Sequence, residues 1–148
     1  MGIFDKLKNS KREMDNKINE VEILSKKNCE TAITYAKSFD KEFDYSKNSI
    51  DDLEEILDYY SKDMAESQPT ENQIWSMAVI FGSYLGEVML KNGLSEKGYI
   101  WGKDSASDIP LLIKGDGNYV TPNDKAYKRL VNGDVDSVIS FYDFVMKE

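Results

Sequence analysis

Apolar side chains recur at helical spacing along most of this chain, and one stretch departs from that rule by being apolar on nearly every side: Ile74 to Leu90, IWSMAVIFGSYLGEVML. A helix that is apolar all round has to be enclosed by protein, so this stretch predicts a central buried helix. Within it Ala78, Gly82 and Gly86 stand four residues apart and leave one narrow stripe almost bare of side chain, which lets another backbone approach closely. Each glycine costs about 1 kcal/mol of helix stability relative to alanine, so close contact has to offset it. Asn92 and Gly93 supply the stop signal.

The other elements follow from periodicity. Cys29, Ala32, Ile33, Ala36, Phe39 and Phe43 share a helical face, and Ile50, Leu53, Ile56, Leu57, Tyr60 and Met64 form the inner stripe of a second helix. Ser49 is the expected cap of that helix, with Asp51 and Asp52 placed against its dipole. Pro69 marks a loop, and Thr70 or Asn72 starts the central helix.

From Leu94 the pattern shortens. Tyr99 to Trp101, Pro110 to Lys114 and Tyr119 to Thr121 predict strands, with a tight reversal at Gly115 to Asn118. Thr121, Pro122 and Asp124 open a helix with Tyr127, Leu130 and Val131 facing inward. Asn132 and Gly133 end it, and Asp134 is expected to cap a last helix carrying Val135, Val138, Ile139, Tyr142, Val145 and Met146. Residues 1–28 are polar and lysine-rich, with Ile3, Phe4 and Leu7 and then a looser series at Met14, Ile18, Val21 and Leu24. They predict a helical extension of low amphipathicity. The expected organisation is that extension followed by one α+β domain over 29–148: a central buried helix, surrounding helices and a small antiparallel β-sheet.

Charge changes the picture next. Among 148 residues, 19 basic and 27 acidic side chains leave a net charge of −8, which argues against nonspecific binding to nucleic acid or an anionic membrane. The excess is local, and Asp51, Asp52, Glu54, Glu55 and Asp58 fall on the outer face of the second helix. Carboxylates fanned around a helix do not converge on a metal, so this face is expected to be solvated, and its sharper reading is a surface for a basic protein partner.

Histidine is absent, which removes the Ser-His-Asp and Cys-His nucleophile systems and His-ligated zinc and points away from catalysis. No catalytic residue is assigned. Cys29, the single cysteine, has no internal disulfide partner and lies on an apolar face, where a buried inert thiol is expected. With no apolar core of secretory length at the N-terminus, a reducing cytoplasm is the expected compartment. The uncharged run from Ile74 to Gly86 falls short of the roughly 20 apolar residues of a membrane span, so no transmembrane segment is expected. The face formed by Ile3, Phe4 and Leu7 beside lysines offers only a small anchor for a membrane surface or a partner groove, and Lys6 stands where a myristoylation signal needs serine or threonine.

Motif tests exclude more than they support. Gly115 to Asn118, GDGN, opens like a calcium loop but places Val120 and Lys128 where ligands are required. Asp134 and Asp136 fail likewise at Val138. Gly102 and Lys103 lack the hydroxyl and first glycine of a phosphate loop. No cofactor or metal is expected. Glu87 follows the glycine stripe in the most apolar helix, and a buried carboxylate there needs a partner: Lys103, Arg129 or the indole of Trp101. Tyr84, Glu87 and Trp101, with the loop from Gly102 to Asp108, make the candidate pocket of the alternative reading, a small-molecule binder or enzyme.

FGSYLGEV in a helix, Trp101 in an extended stretch, Pro122 before a short helix and KRLVNGDVDSVISFY near the end together resemble a family of small bacterial domains of unknown function with an FGxYLGE-type helix. The resemblance covers about residues 44–146, implies an α+β domain and carries no activity or site residues. Small acidic bacterial proteins of this type include immunity proteins against toxins, so the leading expectation is a noncatalytic acidic protein-binding module, immunity-like in character.

Overall fold

The computed structural model describes the backbone from Ile3 to Lys147 and the side chains from Glu20 to Lys147. The apolar face expected at Ile3, Phe4 and Leu7, and the Gly2 context, lie outside the described residues and side chains. In chain order the elements are α1 (Ile3–Lys37), α2 (Asn48–Ser67), α3 (Glu71–Met89), β1 (Ile100–Lys103), β2 (Pro110–Ile113), β3 (Tyr119–Val120), α4 (Pro122–Asn132) and α5 (Val138–Met146), with a π-helical turn at Leu90–Leu94 and a 3-10 turn at Gly133–Asp136. The sheet is antiparallel in the order β1-β2-β3, pairing Trp101 with Leu112 and Leu112 with Val120. The α+β reading and its central helix hold.

α3 is the core helix. It packs against α1 on one side and α4 on the other, and Ala78, Phe81, Tyr84, Leu85, Val88 and Met89 are fully buried along it. The 24 residues from Glu71 to Leu94 meet the length and composition of a membrane span, yet about two thirds of their apolar stretch is buried inside the protein, as in the core helix of a folded domain. Thr70 caps it: its hydroxyl accepts from the Gln73 amide while the Gln73 side chain accepts from the Thr70 amide, a reciprocal capping box. At the other end Gly93, at φ 153°, turns the chain out of the π turn.

The bare stripe serves close contact. A methyl group built on Gly82 would sit 2.5 Å from the Cα of Asn123, and one on Gly86 would sit 2.5 Å from Cζ2 of Trp101 and 3.2 Å from Pro122. The two glycines therefore let the first turn of α4 and the indole of β1 reach the α3 backbone.

Two local expectations, both helix caps, are corrected. Ser49 does not cap α2: the helix begins at Asn48, and the Ser49 hydroxyl donates to the Ser46 carbonyl at 2.6 Å and accepts from Tyr84. Asp134 lies in the 3-10 turn, and Ser137, accepting from the Ser140 amide, caps α5. α1 runs without a break across positions 28 and 29, with Val21 and Ser25 already buried, because every turn from Val21 onward presents a small or apolar residue to the body.

Candidate functional site

The three residues of the sequence-predicted pocket are core residues. Trp101 donates its indole N–H to Glu87 Oε1 at 3.2 Å, with Glu87 5% and Trp101 2% exposed. Of the three donors considered for Glu87, the structure selects the indole. Tyr84 is fully buried and stacks on Phe43, ring centroids 4.1 Å apart. Its hydroxyl donates to Ser49 Oγ at 2.6 Å and accepts from the Tyr45 amide at 3.0 Å, and burial pushes its ionisation up to about 12. Tyr84, Glu87 and Trp101 are thus enclosed within the core rather than lining an open cleft. The loop expected from Gly102 to Asp108 is shorter: Gly102 and Lys103 belong to β1, paired with Leu111 and Pro110, and the remaining link to β2 is tied to itself, Asp104 accepting from the Ala106 amide and the Ser107 hydroxyl.

The acidic face divides in two. Arg129, 2% exposed, reaches from α4 to α2, donating from Nε to Glu54 Oε2 at 2.6 Å and from Nη2 to Asp58 Oδ1 at 2.7 Å. Glu54 also accepts from the Ser137 hydroxyl, and Asp58 pairs with Lys62 at 2.7 Å. Hydrogen bonds from Lys62 and Arg129 hold the Asp58 carboxyl below its ordinary value. Glu54 and Asp58 are consequently half-buried struts between α2 and α4, contrary to the expectation that all five carboxylates fan into solvent. The sequence signal for this was Arg129 itself, a cation on the inward face of α4 that needed two acceptors.

The remaining carboxylates gather at the corner where the α1–α2 connection folds against α2. Lys41 lies 2.9 Å from Glu55 and 3.6 Å from Asp52, which brings the connecting segment that carries Asp40 and Glu42 up to α2. Asp40, Glu42, Asp51 and Glu55 are exposed. Asp51 and Glu55, one turn apart, point the same way. Among the described residues no group of three or more Asp, Glu, Cys or His side chains is arranged to hold a metal ion.

Cys29 is buried with its sulfur 3.7 Å from the Tyr45 hydroxyl, and burial raises its thiol to about 11. It is a core thiol, as its position on an apolar face predicts.

One feature had no sequence reading. α2 and α3 diverge from their short connection at Gln68 to Thr70 and scarcely touch, which leaves a groove of about 480 Å³ between them, floored in part by α1 and α4. Tyr60 and Met64 of α2 and Met77 and Ile80 of α3 line it. Their helical spacing marked them as inward-facing, and spacing alone does not separate a filled interface from an open one. Comparisons with protein-family models, with curated proteins and with solved structures give no match.

Proposed function

We propose that this protein is a noncatalytic binding module that recognises a basic protein partner through the acidic corner formed by Asp40, Glu42, Asp51 and Glu55. The observation that carries the reading is the arrangement around Lys41: one lysine serves two carboxylates there, while Asp40, Glu42 and Asp51 project into solvent with no ion pair among the described residues. The corner therefore keeps a negative potential that internal pairing does not cancel, and such a potential favours encounter with a basic surface. A basic toxin held by an immunity-like antagonist is one partner of this kind, and the cytoplasm, where a lone buried thiol stays reduced, suits it.

The test begins with capture of partners from the native host at low salt, followed by titration of the purified partner. The partner should be basic. Binding should weaken by about tenfold or more in the double variant D51K/E55K and as ionic strength rises from about 0.05 to about 0.3 M. Binding that is indifferent to salt, or unchanged in D51K/E55K, would rule the corner out.

A further inference from the structure

The groove between α2 and α3 has a chemistry distinct from the acidic corner. Tyr60, Asp63, Met64 and Ser67 occupy one face of α2, and Gln73, Met77 and Ile80 one face of α3, so two turns of each helix look across the opening at one another. Tyr35 of α1 contributes a third wall. The volume of about 480 Å³ falls in the range of roughly 300–1,000 Å³ typical of small-molecule sites.

Its charge is one-sided. Asp63 is the only ionisable acid or base among the lining residues apart from the two phenols. Lys62, its neighbour on α2, is paired with Asp58, and Asp63 itself forms no ion pair among the described residues. The aromatic side is crowded: Tyr60 lies 5.5 Å from Tyr59 and 5.6 Å from Phe39 between ring centroids. Burial raises the ionisation of Tyr60, and the neighbouring Tyr35, Tyr59 and Asp63 add to that rise. A cation brought here meets a carboxylate beside two phenol rings, aromatic groups of the kind that attract cations, while an apolar body meets two polarisable methionines that adapt to its shape.

We infer that this groove is a binding site for a small organic cation with an apolar body, an alkylammonium in chemical class, whose charged head sits between Asp63 and Tyr60 and whose chain lies along Met64, Met77 and Ile80. This site is independent of the acidic corner. An amphipathic peptide with a lysine would present the same head and chain, but the groove spans only about two helical turns and closes at the Gln68 to Thr70 connection, which suits a ligand of a few atoms' width better than a passing helix.

The test titrates the full chain with hexylammonium, 1-hexanol and hexanoate, reading heat together with the methyl resonances of labelled methionines. Hexylammonium should bind, shift the Met64 and Met77 methyls ahead of the other methionines, and bind at least about tenfold more tightly than 1-hexanol, with hexanoate weaker still. Asp63→Asn should abolish the preference for the ammonium over the alcohol, and Met64→Lys, which places a tethered ammonium in the groove, should block hexylammonium while leaving the thermal unfolding cooperative. D51K/E55K should leave this binding unchanged, which separates it from the acidic corner. Absence of hexylammonium binding, equal affinity for 1-hexanol, an unaltered preference in Asp63→Asn, or shifts confined to other methionines would each overturn the inference.

Discussion

Glu87 and Trp101 satisfy one another: the indole N–H ends on the carboxylate at 3.2 Å in a setting nearly sealed from water. Replacing Glu87 by glutamine keeps an oxygen acceptor of the same reach, so Glu87→Gln should hold stability within about 1 kcal/mol of the parent. Glu87→Leu strands the buried N–H and should cost about 1–3 kcal/mol. Urea unfolding followed by tryptophan fluorescence distinguishes the two, and equal midpoints for both variants would mean that the hydrogen bond contributes nothing.

Arg129 ties α4 to α2 through Glu54 and Asp58. Arg129→Met leaves two carboxylates facing each other at a seam, and because both retain some access to water the loss should be about 3 kcal/mol, the lower end of what breaking a buried ion pair costs. Arg129→Lys keeps the charge but offers one point donor in place of a fork, and should fall between the parent and the methionine variant. Denaturant midpoints in that order support the strut.

The glycine stripe gives a counter-intuitive expectation. Alanine is the better helix former by about 1 kcal/mol, yet the methyl of Gly82→Ala would meet the Asn123 backbone at 2.5 Å. Overpacking of this kind costs about 1–3 kcal/mol, so the substitution should destabilise on balance. Gly86→Ala should do the same by pressing on Trp101, with a visible change in the tryptophan near-UV circular dichroism. A rise in thermal midpoint for either variant would show that the seam yields.

Acid should weaken the fold through carboxylates whose folded ionisation is depressed. Asp58 is lowered by its hydrogen bonds to Lys62 and Arg129, and Asp136 by those from Asn132 and Lys125. A depressed value means stability that is fully present above the unfolded value of 3.8 and lost as pH falls through the lower folded values. Urea midpoints should therefore decline as pH drops below about 5, and Asp58→Asn should flatten that decline relative to the parent.

Cys29 should be unreactive toward iodoacetamide at pH 8 in the native protein, because burial both shields the sulfur and raises its thiol to about 11. The same thiol should alkylate readily in urea. Rapid native alkylation would mean that the α1 face opens on the timescale of the reaction.

Helical and strand periodicity made most of the architecture readable. Ile74 to Leu90 announced an enclosed helix, and Gly115 to Asn118 announced a hairpin turn, closed here by the Lys114 amide on the Asn118 carbonyl. What periodicity does not encode is which partner a polar residue finds. Ser49 looked like a cap and became the acceptor for Tyr84, 35 positions away, while Glu54 and Asp58 looked solvated and became acceptors for Arg129. Likewise Tyr60, Met64, Met77 and Ile80 all carried the pattern of core residues, but the short Gln68 to Thr70 connection lets α2 and α3 splay, and a groove results. The candidate site was thus legible as composition and not as geometry.

The contact of α3 with the first turn of α4 has a consequence for synthesis on the ribosome. The most apolar helix of the protein is covered on its glycine side by Trp101, Pro122 and Asn123, all of which emerge after it. Until the chain has been made past Asn132, the stretch of α3 around Gly82 lacks its cover from α4, and the nascent protein carries a sticky surface of the kind chaperones hold. A truncation ending before α4 should bind a chaperone persistently, whereas the full chain is released once its last third closes the seam.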